Sequence, residues 1–224
     1  MEFTYIADGI DAVIIDNFYT DQQLKEIMLE LKWLTKPCIM VGEDELESAR
    51  LNGELLASKK GIFLEHVFQN WKHSALISHG ITQTKDKEFI DGLYKYNTLF
   101  KSLIGCNSRS HLLSYYENSN YYKPHTDGFF YTILNYFYIE PKQFEGGEII
   151  LHSCNSDKIA SIEVLHNRAV VIASQTMHEV RPIKSSLDNS FSGNGRYCNA
   201  MFLSYDMQRD RDSQKHQKEL YDTN

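Results

Sequence analysis

The sequence predicts an α+β fold that is mainly β, with helices in the first half and a β-sandwich or barrel in the second. Three observations carry this expectation. Before Gly105, apolar residues recur at helical spacing. After Gly105 come short runs rich in β-branched and aromatic residues, separated by turn residues. Aromatic residues make up 12% of the 224 residues, with 14 Tyr and 12 Phe, and such side chains suit a pleated, half-buried surface.

The elements follow in chain order. Ala12-Val-Ile-Ile-Asp-Asn-Phe18 is a short apolar run and reads as a strand. Thr20 is a good helix N-cap, and Gln23 three residues on completes a capping box. Behind it Leu24, Ile27, Met28, Leu31 and Leu34 form the apolar stripe of a helix that ends before Pro37. The polar stretch Glu43 to Lys60 reads as loop or short helix. Gly61 to Phe68 reads as a strand or a helix entry. Lys85 to Ile104 is predicted helical, with Phe89, Leu93, Tyr96 and Phe100 on one face and Gly105 as its end. The predicted strands are then His111 to Tyr116, Tyr131 to Ile139, Glu148 to His152, Ala169 to Ser174 and Arg196 to Tyr205. We expect one domain over residues 1–224: a helical part at about 12–105, a β core at about 106–206 and a polar tail at about 207–224.

Composition bounds the function. A chain of this length buries roughly 70% of the surface its unfolded form exposes, so it needs no staples. The four cysteines, Cys38, Cys106, Cys154 and Cys198, make no CxxC pair, which argues against a zinc ribbon or a disulfide framework. Reduced thiols and the lack of a basic start to an apolar run in Met1 to Ile10 predict a cytoplasmic protein. No apolar stretch approaches the length of a membrane span. With 23 Lys plus Arg against 30 Asp plus Glu, the net charge is −7, so nucleic acid is not expected as a partner.

The chemistry starts at His125-Thr-Asp127. In a strand, residues two apart face the same way, so this imidazole and carboxylate converge. Pro124 before them and Gly128 after them suggest a strand end opening into a loop. His178 follows the apolar run Ala169 to Ser174 and completes two histidines and one carboxylate, the facial triad of non-haem Fe(II) oxygenases. Taken alone, each histidine has the bland reading of a satisfied core residue. Arg196 leads the otherwise apolar strand Arg196-Tyr-Cys-Asn-Ala-Met-Phe-Leu203. A buried arginine needs an anionic partner, and its planar fork suits a carboxylate. Period-2 alternation puts Arg196, Cys198, Ala200 and Phe202 on one face. Arg181 and Lys184 are competing cations; Arg196 is preferred because it opens a strand.

The order of these features, with Phe144-Glu-Gly-Gly-Glu148 between them, resembles the 2-oxoglutarate and Fe(II)-dependent oxygenases, closest to the prolyl 4-hydroxylase-like branch. The resemblance runs from about Val13 to Tyr205 and includes Leu113-Ser-Tyr-Tyr-Glu-Asn-Ser-Asn-Tyr-Tyr-Lys-Pro-His-Thr-Asp127. It implies a double-stranded β-helix, or jelly-roll, with N-terminal helices packed on one sheet. It implies that His125, Asp127 and His178 are catalytic as the Fe(II) ligands. Arg196, Tyr138 and Tyr115 are implied to bind 2-oxoglutarate, with O2 as the other co-substrate and ascorbate as a reductant. The segment Ser185 to Gly195 looks like an insertion relative to the branch, and with Glu117 to Tyr122 it is expected to rim the pocket. Phe129, Tyr131 and Phe202 are the expected substrate contacts.

The implied reaction is hydroxylation of an aliphatic C–H bond. Halogenating relatives lack the carboxylate that Asp127 supplies. The first expected substrate is a prolyl residue in a peptide or protein; a free amino acid or other small molecule is the second. A cupin-like jelly-roll that binds metal without catalysis is a further reading, though it would have no need of Arg196. A zinc hydrolase would not need that arginine either. Oligomeric state is not legible in the sequence.

Overall fold

The computed structural model describes residues 1–7, 9–46, 48–186 and 190–208. The tail expected from Arg209 to Asn224, and residues 187–189 of the expected insertion, lie outside them.

Two strands open the chain, β1 (Glu2–Ile6) and β2 (Ala12–Asp16), paired antiparallel. Helix α1 (Asp21–Leu34) follows, and its capping box forms as expected: the Gln23 N–H donates to Thr20 Oγ1, and the Gln23 side chain accepts from the Thr20 N–H at 2.9 Å. Its stripe buries Ile27, Leu31 and Leu34 completely or nearly so. After β3 (Val41–Gly42), the stretch expected as loop or short helix is loop and turn with short strand pieces: β4 (Arg50–Leu51), β5 (Glu54–Leu55) and β6 (Ala57–Ser58). Next, β7 (Lys60–Phe63) runs directly into the single turn α2 (Leu64–Val67), so both readings of this segment hold in succession.

The long helix expected from Lys85 to Ile104 is interrupted. Lys85 closes α3 (Ala75–Lys85), a helix without a strong apolar stripe, capped by the Ser74 side chain. Asp86 then caps α4 (Lys87–Tyr96). Asn97 breaks the periodic run: its side chain accepts from the Leu99 N–H at 2.8 Å and starts a 3₁₀ helix over Thr98–Gly105. An asparagine that satisfies nearby backbone groups itself competes with helix continuation. Gly105 ends the element, as expected.

The regular elements of the second half are strands: β8 (Ser108–Tyr116), β9 (Tyr121–His125), β10 (Tyr131–Phe137), β11 (Glu145–Gly146), β12 (Ile149–His152), β13 (Ile159–Ile162), β14 (Arg168–Ala173), β15 (His178–Val180), β16 (Ile183–Lys184) and β17 (Arg196–Ser204). They make a jelly-roll of two facing sheets. The larger has the order β1-β2-β14-β10-β17-β8-β7-β3, and the smaller β13-β12-β15-β9-β6. Four strands of the N-terminal part therefore extend the large sheet, so the helical part and the jelly-roll share one layer. Helix α1 and the helical stretch 75–105 cover the outer face of that sheet, where Val13, Ile15, Leu113, Ile133, Val171 and Met201 lie in one apolar cluster with Ile27, Leu76 and Phe89. The inner faces enclose a second cluster, including Leu134, Leu151, Val180 and Phe202. No helix among the described residues is long and apolar enough to cross a membrane. The four cysteines are free, Cys106 and Cys198 buried.

Candidate metal and co-substrate site

Between the sheets lies a cavity of about 360 Å³. At one side of it β9 and β15 pair so that His125 sits directly opposite His178, with ring centroids 4.3 Å apart. Both rings are buried. The Nδ1 of His125 lies 2.9 Å from the Lys123 carbonyl, and that of His178 lies 2.9 Å from the Thr176 carbonyl. A carbonyl only accepts, so each Nδ1 carries the proton and each Nε2 presents a lone pair. Both lone pairs point toward Asp127: His125 Nε2 is 3.9 Å from Oδ1, and His178 Nε2 is 3.8 Å from Oδ2. The three side chains together offer one ligand atom each, all within 4.8 Å of one another.

Asp127 is held from behind. Thr132 Oγ1 donates to its Oδ2 at 2.7 Å and also contacts Ser174 Oγ at 2.9 Å. Its backbone N–H donates to the Ser174 carbonyl at 2.9 Å. Such outer partners would orient Asp127 as a metal ligand. Burial, reinforced by the neighbouring His178, pushes the His125 pKa down to about 3. A neutral imidazole is the form a metal needs. The donor set fits a divalent transition metal with open coordination positions.

Arg196 opens β17, is 1% exposed and lines the same cavity. Its guanidinium lies over the rings of Tyr116 and Tyr136, at 4.7 and 4.8 Å from the centroids. Among the described residues it forms no ion pair, and its buried Nε and Nη1 have no hydrogen-bond partner. The Gly-Gly pair of the 144–148 segment is explained here. Gly147 has φ +73°, and a Cβ on it would come within 3.0 Å of Arg196 Cδ and 2.3 Å of Ile183 Cδ1. Only glycine lets the backbone close over the arginine stem. A buried, unpaired guanidinium between two rings is a fitting cradle for a carboxylate.

The structure brings together His125, Asp127, His178, Arg196, Phe129 and Phe202 around this cavity. Phe129 and Phe202 stack with centroids 4.5 Å apart. It does not bring in Tyr115, Tyr131 or Tyr138. Tyr115 points to the outer face of the large sheet, where it packs on Tyr197 and its hydroxyl accepts from the Gly195 N–H at 3.1 Å. Strand parity is the reason: Ser114 and Tyr116 face inward, so Tyr115 faces out. Tyr131 also faces outward and bonds Ser102 and the Leu99 carbonyl. Tyr138 has the inward parity but lies past the end of β10, against Phe144 and His166. Tyr136, two residues earlier, is the tyrosine beside Arg196.

The 185–195 segment is likewise not a rim: none of its described residues lines the cavity. Ser192 and Gly195 bond the Tyr115 hydroxyl, Ser190 bonds Lys60, and Phe191 lies under the Lys60 ammonium. The competing cations also lie elsewhere. Both Arg181 and Lys184 are exposed, and Arg181 pairs with Glu179 at 3.5 Å. Tyr122, at the end of the stretch expected to rim the pocket, lines the cavity; two inward residues, Tyr116 and Lys59, had gone unread. Alternation from His125 across β8 and β17 points to Tyr116; nothing in the sequence around Lys59 marks it.

The jelly-roll thus gathers two imidazoles, one carboxylate and a buried guanidinium in one cavity. Residues 110–203 match the family model described as the 2OG-Fe(II) oxygenase superfamily. The match takes in His125, Asp127, His178 and Arg196 and makes this part of the chain similar to 2OG-Fe(II) oxygenases. No curated protein matches the chain. Solved structures share its fold. A Trichoplax adhaerens prolyl hydroxylase in complex with a hypoxia inducible factor oxygen degradation domain peptide fragment superposes with TM-score 0.58 at 15% identity, over 86% of this chain and 83% of that one. A Pseudomonas putida prolyl-4-hydroxylase gives 0.54 at 13% identity, over 87% and 92%. A Burkholderia pseudomallei oxidoreductase of the 2OG-Fe(II) oxygenase family gives 0.57 at 12%, over 86% and 84%. At such identities the likeness is one of fold, and the fold is prolyl-hydroxylase-like.

Proposed function

We propose that the protein hydroxylates an aliphatic C–H bond, with a prolyl residue of a peptide or protein as its first substrate class. The observation that carries the reading is the pairing of a His125–Asp127–His178 cluster with the unpartnered, buried Arg196 in one cavity. In this reading His125, Asp127 and His178 hold Fe(II), and Arg196 holds the far carboxylate of 2-oxoglutarate. Iron and 2-oxoglutarate, when bound, activate dioxygen for insertion of an oxygen atom into a C–H bond. The chain's own residues orient and shield. Thr132 holds Asp127 so that both imidazoles face it. Tyr116 and Tyr136 sandwich the guanidinium and keep water from it. Phe129 and Phe202 form an apolar wall on the inner face, and Thr132, which binds Asp127, is paired in register with Phe202. Such a wall suits a pyrrolidine ring or an aliphatic side chain. Asp127 would supply a carboxylate ligand of the kind halogenating relatives lack, which favours hydroxylation over halogenation.

Prolyl-hydroxylase relatives of the same fold, one of them bound to a peptide, support a peptide or protein substrate. The test has two stages. Anaerobic protein mixed with Fe(II) and 2-oxoglutarate should develop a weak visible charge-transfer band, and no band would favour a jelly-roll without oxygenase chemistry. Succinate release, with O2 supplied and ascorbate as reductant, is then measured across proline-containing peptides and free amino acids. Stimulation by peptides supports the proposal. Stimulation by free amino acids alone replaces it with a small-molecule hydroxylase.

A further inference from the structure

Lys59 is 4% exposed, and its environment does not explain a buried charge. It is the single residue between β6, which pairs with β9 in the small sheet, and β7, which pairs with β8 in the large one. The chain crosses from sheet to sheet at this point, and the side chain enters the cavity between them. Its Nζ donates to Ser114 Oγ at 3.1 Å and lies 4.8 Å from the centroid of the Tyr122 ring. Tyr122 in turn stacks on His125, with centroids 3.5 Å apart. Among the described residues no acidic side chain pairs with Lys59.

Its position along the cavity follows from register. Ser114 pairs with Cys198, and Tyr116 pairs with Arg196. Along β8 and β17, then, the ammonium stands one pleat from the guanidinium, and its ring contact leads to His125. Two cations line one cavity between the proposed metal ligands and its arginine end, and neither has a carboxylate partner. Burying two like charges together is costly unless an anion joins them. We propose that Lys59 is a second binding residue for 2-oxoglutarate, acting with Arg196 along the path of the dicarboxylate toward the triad. This rests on the oxygenase reading of the site. The protein then holds its co-substrate with two positive groups from different parts of the chain, one on β17 and one at the β6–β7 crossing. Ser114 is the positioning residue that aims the ammonium. The burial that pushes the Lys59 pKa down to about 8 is consistent with an ammonium kept dry for a ligand.

The experiment is calorimetric titration of 2-oxoglutarate into anaerobic, Mn(II)-loaded protein, comparing wild type with Lys59→Met, Lys59→Gln and Arg196→Met. Methionine keeps the length of the stem without the charge, and glutamine covers the case in which the methionine variant does not fold. Loss of one charge-assisted contact should weaken 2-oxoglutarate at least about tenfold in either Lys59 variant. Mn(II) affinity, measured alongside, should be equal or higher, since a cation near His125 is gone. Wild-type affinity in the Lys59 variants, together with a large loss in Arg196→Met, would overturn the assignment of Lys59 and leave the oxygenase reading intact. Wild-type affinity in all three variants would overturn that reading as well. An unchanged 2-oxoglutarate affinity with a raised KM for the hydroxylated substrate would also overturn the proposal, moving Lys59 to the substrate side.

Discussion

The two faces of the large sheet are built from the same strands and do opposite things. On β8, Leu113 and Tyr115 point out, while Leu112, Ser114 and Tyr116 point in. On β17, Tyr197, Met201 and Leu203 point out, while Arg196, Cys198, Ala200 and Phe202 point in. The outer face is sealed by helices over a large apolar cluster; the Tyr197 hydroxyl meets Thr35 Oγ1 at 2.8 Å, while the buried Asn199 side chain has no hydrogen-bond partner. The inner face keeps small side chains and a buried charge whose Nε and Nη1 have no partner. One face packs against helices, and the other lines a cavity that holds a buried cation. Adjacent residues therefore differ in role because of parity alone.

Substitutions on the two faces should separate these roles. The largest effect is expected from Asp127→Ala, which removes one of three ligands and should abolish succinate production; near-wild-type turnover would contradict the triad. On the outer face, Met201→Ala should cost about 2–5 kcal/mol of unfolding free energy while leaving 2-oxoglutarate affinity unchanged, as read by denaturant titration and calorimetry. A lost affinity there would mean the faces are coupled.

Next comes Lys59. Its pKa is about 8 in the fold and 10.5 ordinarily, so between these values the unfolded chain holds a proton that the native chain has released. The stability of the metal-free protein should therefore gain a contribution as pH rises from about 8 to about 10.5, and below pH 8 the burial cost is felt in full. The gap corresponds to a few kcal/mol. Lys59→Met should remove this contribution and be the more stable protein at pH 7. Buried tyrosines such as Tyr116 and Tyr136, whose pKa values burial raises, pull the other way at high pH. The wild-type-minus-variant difference in denaturation midpoint cancels them. Thr132→Val should lower metal affinity by about 10–100-fold, the usual effect of losing an outer partner, and a metal titration reads it. The smallest effect is Tyr115→Phe: about 1 kcal/mol of stability from the lost Gly195 contact, with no change in 2-oxoglutarate affinity.

Much of this was legible in the residues because it is local. The Thr20 capping box, the α1 stripe and the aromatic strands after Gly105 depend on neighbours within a few positions. So does the convergence of His125 and Asp127, two residues apart. The Arg196 face is legible by the same alternation. Errors arose where a local pattern met a competing local bond, as at Asn97, or where a side chain's direction depended on a distant partner. Tyr115 was implied at the site by the resemblance, yet strand parity turns it to the outer face beside Tyr197. Tyr136, not Tyr138, meets Arg196 because β10 ends at Phe137.

By itself, the sequence determined which residues form strands and helices and which chemistry they carry: two imidazoles, a carboxylate and a guanidinium in a given order. Short-range periodicity is enough for that, since 2.0 and 3.6 residues per repeat are properties of the backbone. Only the tertiary structure decided which groups share the cavity. Pairing of β9 with β15 sets His125 against His178 across some fifty residues. The crossing from β6 to β7 delivers Lys59, a residue that no nearby pattern distinguishes, into the same space. Such meetings depend on register between strands far apart in the chain, and sheet packing fixes that register through burial of one face.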